Sequence, residues 1–538
     1  MSLADHEGSF RRRIATWAII FAAAFGSTVY YQSSAGAGYP LDDSYIHFAF
    51  ARNLADGRGF GINPNQPTPG ATSPMWVLLL SVGFAVGASS NTWPWALGAV
   101  VLTLTGVTAS AICETLTPQT SSNRTKRFLS IAAGVATASS FPLVWSAAGG
   151  MEAPLVGLTT LLALLALSRA RNRPAKFGAM WGAAVGLAIA ARPEGMLLVP
   201  IFVACEAVFG GRGRWSRAIL GAATAALLAM PYLLFCHATT GRLFPNTFYA
   251  KTLSTRSHIP EISALVDLFG VAWTLYPEAI LAMPIIVVTG LLCWRKDGLL
   301  SVVVASLGFS LALPCSYAAM ERTDLFAGGA GNFGRYLFPM FPPLIAMGFA
   351  AIARLATYVH RIHPHKAVLT IAAIVGITWS GVTLWRTAKF VDLYDLNVRD
   401  INAMQVRMAD VLKKQLPPNS LVAANDVGAV AFFTSHRVLD LVGIVSTDVL
   451  NVRRPIDRPP PDNEEYEILN LLFEKRPEAL VIFPNWYPGL YQRLRSGLIV
   501  MDDVYLQDNI TSGGKRMVAY RIDWSRVAPA NLRGITTQ

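Results

Sequence analysis

Charge is scarce in this chain of 538 residues. Only 14% are Asp, Glu, Lys or Arg, whereas an ordinary soluble domain carries about a quarter. Cysteine is scarce too: Cys113, Cys205, Cys236, Cys293 and Cys315 lie in or beside apolar stretches, with no CxxC spacing. That excludes a disulfide framework and a cysteine zinc site, and leaves small apolar residues. The sequence has no GxSxG, no HExxH, no Walker loop and no GxGxxG entering a helix. Serine-hydrolase, zinc-protease and direct nucleotide chemistry are therefore not indicated. Internal repeats and low-complexity tracts are missing as well. The three histidines of "HRIHPHK" (His360–Lys366) lack nearby carboxylates or cysteines and read as a basic loop, not a metal site.

What is present is apolar. Hydrophobic residues make up 53% of the chain and mean hydropathy is +0.41. This is the composition of a polytopic helical membrane protein. The net charge of +12 invites a nucleic-acid reading. However, the basic residues sit between apolar segments, as a topology signal does, and no nucleic-acid partner is expected.

Ile14–Tyr31 follows "RRR" (Arg11–Arg13) and is long enough for an uncleaved span with a cytoplasmic N-terminus. Further spans are expected near Phe128–Ala148, Ala153–Ser168, Phe177–Ala190, Gly195–Phe209 and Ala218–Cys236. Others follow near Glu278–Trp294, Leu299–Ala319, Tyr336–Ala356 and Ala367–Trp385. The loops alternate in charge. "SSNRTKR", "SRARNRPAK", "GGRGRWSR", "WRKDG" and "HRIHPHK" are basic and belong in the cytoplasm. "GGMEAP", "ARPEG", "TTGRLFPNTFYAK" and "MERTDLFAGGAGNFGRY" then fall outside, as does the loop near residues 34–73. This alternation requires an odd number of crossings in Thr72–Thr120, so one of Met75–Val86 and Trp93–Cys113 does not span fully. About 11 spans are expected, with 13 as the alternative, and the C-terminus lies outside.

Residues 1–387 thus read as the transmembrane domain and 388–538 as a soluble extracytoplasmic α/β domain. "FVDLYDLNVRDINAMQVRMADVLKKQL" is an amphipathic helical entry. "SLVAANDVGAVAFFTSHRVLDLVGI" reads as strand, turn, helix, strand, and "ALVIFPNW", "GLIVMDDVYL" and "RMVAYRID" as further strands. About 150 residues is a typical domain size.

The first outside loop, "YPLDDSYIHFAFARNLADG", carries adjacent acids, Asp42 and Asp43, at the start of an amphipathic helix that stops at Gly57. A carboxylate where a lipid headgroup meets water can take a proton from a sugar hydroxyl, and neighbouring acids raise one another's proton affinity. The same residues also fit an N-cap and a solvated charge, and the stretch alone leaves both readings open. Arg192, Arg242, Lys251, Arg322 and Arg335 lie on the same side, where a phosphate leaving group needs cations.

"LDDSYIHFAFARNLADGRGFGINPNQPTPGATSPMW" resembles the first outside loop of the bacterial GT-C membrane glycosyltransferases, most closely the group of the cell-wall arabinofuranosyltransferases. Further matches follow in order: "GGME" (Gly149–Glu152), "ARPEG" (Ala191–Gly195), "LFPNTFYAK" (Leu243–Lys251), "GRYLFP" (Gly334–Pro339) and "AANDVGAVAFFTSHRVLDLVGI" (Ala423–Ile444). The resemblance implies a polyprenyl-phosphate sugar donor, arabinofuranose being the first choice. Transfer would occur outside the bacterial cytoplasmic membrane, to a glycan, lipid or protein acceptor. It implies a loop acid, Asp42 or Asp43, as catalytic base. Substrate contacts are expected from Tyr45, Arg52, Glu152, Arg192, Glu194, Asn246, Tyr249, Lys251, Arg335 and Tyr336. "GGMEAP" departs from the group at Ala153 and Pro154, where relatives often have a threonine and a small residue. No cofactor is required by these motifs, although two acids are compatible with a divalent cation. The competing class is a polytopic lipid or solute transporter or flippase, which needs mid-membrane polar residues or paired broken helices in symmetric halves. A noncatalytic scaffold leaves the acid pair and the outside cations unexplained.

Overall fold

The computed structural model describes residues 3–118, 120–251, 262–294, 299–319, 334–362, 366–456, 461 and 463–527. Arg322, His363 and His365 lie outside the described residues. The chain divides into two compact units. One comprises Met1–Ala37, Thr72–Leu234 and Thr255–Asp395; the other comprises Gly38–Ala71, Phe235–Ser254 and Leu396–Gln538. The loop bearing the acid pair therefore clusters with the C-terminal segment.

The first unit is helical and apolar. Among the described residues of the chain, six helical stretches are long and apolar enough to cross a membrane. These are Phe10–Ser34, Trp93–Leu116, Arg214–Thr240, Leu300–Ala319, Arg335–Ile362 and Ala367–Gln415. Two bent pairs raise the number to as many as eight. Asn123–Ala138 and Phe141–Ala148 meet at 49°, and Ile262–Leu275 and Pro277–Leu292 at 109°. Proline sits in the first turn of the second helix in each pair, at Pro142 and Pro277. Tyr276, just before Pro277, leaves helical backbone as a residue preceding proline tends to, and in the first pair the break falls at Ser140, one residue ahead of Phe141. Pro74–Ala85, Ala153–Ser168 and Lys176–Ala191 are shorter apolar helices. The architecture is that of a polytopic helical membrane protein, as the hydropathy requires.

Lipid offers helices little hydrophobic reason to associate, so close approach of small residues matters. A Cβ on Gly182 would lie 2.2 Å from the Gly221 carbonyl oxygen. On the helix of Gly221, Arg214–Thr240, Arg217 also makes a buried ion pair with Glu206 of the preceding helix, Leu198–Phe209. Arg217 Nε donates to both carboxylate oxygens of Glu206 at 3.1 Å, and its Nη atoms donate to the carbonyls of Arg173, Arg212 and Gly210. Every guanidinium nitrogen is used, which is the condition for burying such a charge.

The second unit contains a five-stranded sheet: β1 (Leu421–Ala424), β2 (Arg437–Asp440), β3 (Ala479–Ile482), β4 (Leu498–Tyr505) and β5 (Arg516–Ile522). The strand order is β2-β1-β3-β5-β4. β2, β1 and β3 run parallel, and β5 is antiparallel to both of its neighbours, β3 and β4. Ala423, Leu439, Leu480, Ile482, Val518 and Tyr520 of the sheet pack with Leu469, Leu472 and Leu490 of the covering helices. β2 is an edge strand, and the first loop covers it. Asn63 Nδ2 donates to the Val438 carbonyl at 2.9 Å and Val438 N donates to Asn63 Oδ1 at 2.8 Å. One carboxamide thus substitutes for a neighbouring strand and blunts the edge.

Candidate functional site

The acid pair opens the loop helix Asp42–Ala55, entered through Leu41 in extended conformation. Asp42 faces a six-residue helix, Gly428–Phe433, which follows β1. Gly428 N donates to Asp42 Oδ2 at 2.7 Å and Ala429 N donates to Asp42 Oδ1 at 2.8 Å. At the other end Arg52 Nη1 donates to the Phe432 carbonyl at 2.6 Å, and Arg52 Nη2 to that of Ala431 at 3.0 Å. The acid meets the amide end of the short helix and the cation meets its carbonyl end, the arrangement its dipole favours. The approach requires glycine at 428, since a Cβ there would stand 2.0 Å from the Asp42 carbonyl oxygen.

Asp426 ends the turn after β1. Gln405 Nε2 donates to its Oδ2 at 2.7 Å, Asn425 Nδ2 to its Oδ1 at 3.2 Å, and Ser512 extends the network through Gln405. Burial raises the Asp42 carboxyl above the usual range, the charge of Asp426 raises it again, and the two backbone amides only partly offset this. Burial likewise raises Asp426, with the Gln405 hydrogen bond opposing and Asp43 adding repulsion. Three acids therefore compete for negative charge, and Asp42 emerges as a stronger base than an exposed aspartate.

Tyr45 is buried among Tyr39, Phe48, Phe432 and Phe433, and its hydroxyl accepts from the Tyr39 amide at 3.2 Å. Arg52, as described, is engaged with backbone carbonyls. Asn246 is buried, receives support from Pro69 through its amide, and donates from Nδ2 to Thr447 Oγ1 at 3.2 Å. The Tyr249 ring lies 4.8 Å from the Arg242 guanidinium, and Lys251 closes the helix Asn246–Lys251. Asp42, Asp43, Tyr45, Arg52, Asn246, Tyr249 and Lys251 all belong to the second unit.

The other expected residues belong to the first unit, where Arg192 sits between two acids. Its Nη1 donates to Glu152 Oε1 at 2.5 Å, and its Nε and Nη2 donate to the two Glu194 oxygens at 3.2 and 2.9 Å. The Tyr317 hydroxyl donates to Glu194 Oε1. The Tyr336 ring is shared by two cations, 5.3 Å from Arg192 and 5.2 Å from Arg335, and Arg335 Nη2 donates to the Tyr336 hydroxyl at 3.3 Å. Arg192 is thus already paired with carboxylates, whereas Arg335 stacks on Tyr336. Among the described residues no group of three or more His, Cys, Asp and Glu is placed to hold a metal ion.

Asp426, Gln405, Gly428 and Tyr317 were not singled out by the sequence. A signal for the first existed: "AANDVG" places an acid at the carboxyl end of a parallel strand. β1 lies between its partners β2 and β3, the position where open α/β sheets collect functional groups.

The domain of unknown function DUF8728 matches residues 395–529. No curated protein matches the chain. Among solved structures, the chain is similar to ArnT from Cupriavidus metallidurans bound to undecaprenyl phosphate. The TM-score is 0.56 at 13% identity, covering 97% of this chain and 99% of that one. It is also similar to the archaeal oligosaccharyltransferase AglB from Archaeoglobus fulgidus, in complex with an inhibitory peptide and a dolichol-phosphate. Here the TM-score is 0.54 at 11% identity, covering 98% of this chain and 76% of that one. The apo form of the same ArnT gives a TM-score of 0.56 at 14% identity, over 96% of this chain and 99% of that one. The chain shares its fold with these ArnT and oligosaccharyltransferase structures.

Proposed function

We propose that the protein transfers a sugar from a polyprenyl-phosphate donor to a glycan, lipid or protein acceptor outside the bacterial cytoplasmic membrane. The observation that carries this reading is the setting of Asp42. Its carboxylate is oriented by two backbone amides, while burial and Asp426 raise its basicity. The solved proteins of like fold that hold undecaprenyl phosphate or dolichol-phosphate support the donor class.

In the reaction, Asp42 accepts the proton of an acceptor hydroxyl. The hydroxyl oxygen forms the new bond to the anomeric carbon, and the bond from that carbon to the phosphate oxygen breaks. The polyprenyl phosphate leaves carrying the electron pair. Asp43 orients the acceptor. Arg335, expected from the sequence on the outside face, is the cation assigned to the leaving phosphate. Arabinofuranose is the first donor sugar to test.

Topology supports the same placement. Counting each bent pair as one span, and reading Ala153–Ser168, Lys176–Ala191 and Leu198–Phe209 as spans, gives 11 crossings and leaves Pro74–Ala85 as the segment that does not cross. Pro74–Ala85 stands alone at 12 residues, about 18 Å against a hydrocarbon core of about 30 Å, whereas Leu198–Phe209, of equal length, continues the helical turn Pro193–Leu197. The acid loop and the C-terminal domain then lie outside.

The test is incubation of purified protein with labelled polyprenyl-phosphate sugars and candidate acceptors. Labelled product, lost in Asp42→Asn, is expected. Absence of both transfer and donor hydrolysis across the donor panel would count against the proposal.

A further inference from the structure

A cavity of about 480 Å³ opens in the second unit beside β2. Small-molecule sites have volumes of roughly 300–1,000 Å³. Its wall joins the first loop to the turn that follows β2 and the start of the helix Thr447–Arg453.

Four polar groups of this wall keep donor capacity. Gln66 Oε1 is taken by Asn63 Nδ2 at 3.2 Å, which leaves the Gln66 amide hydrogens. Ser446 Oγ accepts from Asp440 N at 2.8 Å and retains its own proton to give. Thr447 Oγ1 accepts from Asn246 Nδ2 at 3.2 Å and retains its proton likewise. Asn451 Oδ1 receives Arg242 Nη2 at 3.4 Å, so its amide hydrogens remain. Thr68 and Thr239 of the same wall spend their protons on the carbonyls of Val445, Phe235 and Cys236 and keep acceptor capacity, but in these four groups it is the donors that remain. The charges lean the same way. Lys475 is matched by Asp448 at 2.8 Å, whereas the exposed Arg437 guanidinium has no ion pair among the described residues.

We propose that this cavity binds an oxyanion-bearing saccharide, with Arg437 on the carboxylate or phosphate and Gln66, Ser446, Thr447 and Asn451 on ring and hydroxyl oxygens. The inference rests on the glycosyltransferase reading, for which it supplies an acceptor class: a glycan carrying a uronic acid or a phosphate ester. A neutral glycan would leave Arg437 unmatched. A lipid tail would meet a wall of amides and hydroxyls that it cannot satisfy. Arginine recognises either oxyanion through paired N–H donors.

Calorimetric titration of the full-length protein in nanodiscs tests this. The probes are a glucuronyl disaccharide, its neutral methyl ester, mannose 6-phosphate, mannose and inorganic phosphate. One or both anionic saccharides should bind at least about tenfold more tightly than the neutral parent, the worth of one charge-assisted contact. The preference should disappear in Arg437→Gln and persist in Arg437→Lys. Arg437 is exposed, and Lys475→Gln provides a second variant at the wall that keeps the backbone untouched. Whichever anionic saccharide binds identifies the oxyanion. Equal affinity for charged and neutral sugars, no binding of either, or a preference that survives Arg437→Gln would overturn the proposal. Inorganic phosphate binding as tightly as mannose 6-phosphate would overturn its saccharide part. Donor hydrolysis is followed in the same preparations. If the donor is hydrolysed but the sugars do not discriminate, the cavity assignment fails alone. If the donor is untouched while Arg437-dependent binding is seen, the glycosyltransferase reading fails instead.

Discussion

Asp42 and Arg52, ten positions apart on one helix, hold the two ends of another: the carboxylate takes the amides of Gly428 and Ala429, and the guanidinium takes the carbonyls of Ala431 and Phe432. The acid proposed as base is therefore also a structural clasp. The two roles make different demands on a substitution.

Asp42→Asn should reduce transfer by about a hundred- to ten-thousandfold, the usual loss for a general base. It should also lower thermal stability, because an amide has one acceptor oxygen for two backbone donors, and an unsatisfied donor costs about 1–3 kcal/mol. The same two measurements are made on Asp43→Asn. Turnover and unfolding measured on the same samples separate the roles. Near-normal turnover in both variants would remove the acid pair from the chemistry.

Gly428→Ala should disturb the clasp without altering any side chain that could react. Its Cβ has no room beside the Asp42 backbone, and overpacking of this kind costs about 1–3 kcal/mol. Expected results are a lower unfolding midpoint and a fall in turnover, with donor affinity unchanged. A variant as stable and active as the parent would contradict the described approach of the two helices.

The pH dependence follows from the raised proton affinity of Asp42. A base works deprotonated, so activity should fall as pH drops through a value above the ordinary aspartate pKa of about 3.9. Asp426→Asn removes a repelling charge and should move that acid limb to lower pH. Stability runs the other way. A carboxyl whose folded pKa is raised contributes most below its unfolded pKa, and the contribution is lost as pH rises through the folded value. A limb that does not move in Asp426→Asn would show that the two acids are uncoupled.

Arg335→Ala should raise the apparent KM for the lipid donor more than Arg354→Ala does. Arg335 begins the buried helical stretch Arg335–Ile362, whereas Arg354 lies towards its other end and donates from Nη1 to the Leu116 carbonyl at 2.7 Å. Loss of Arg354 should appear in stability instead. Equal donor KM values in both variants would argue against the phosphate placement.

Sidedness can be read by thiol labelling. Asn485→Cys, at an exposed position after β3, should react with an impermeant reagent in intact spheroplasts, and Arg212→Cys only after lysis. Cys113, Cys205 and Cys236 are buried and Cys315 is half-buried, so Cys293 and Cys315 are first replaced by serine. The reverse pattern would invert the topology.

Much of this architecture was legible because membrane helices and buried strands write their own period into the sequence. "LVAA", "RVLD", "ALVI" and "RMVAYRI" all became strands where apolar runs lay between turn residues. Hydropathy left open whether Met75–Val86 or Trp93–Cys113 was the incomplete crossing; the helices formed have 12 and 24 residues. The clasp was not legible. Asp42 reads locally as the first residue of its own helix, and its partner Gly428 lies 386 positions away. Arg52 and Tyr45 show the same limit. The resemblance offered them as substrate contacts, while the groups that hold them, carbonyls some 380 positions away and a set of aromatic rings, leave no local pattern.

The 386-residue separation sets an order of events during synthesis. At about 5–20 residues per second, Asp42 emerges some 20–80 s before the amides that orient it. During that interval the early helices can already be threaded into the bilayer while the acid remains without its clasp. Maturation therefore waits for the last quarter of the chain to be made and delivered, and a ribosome that stops early leaves an inserted but incompetent product.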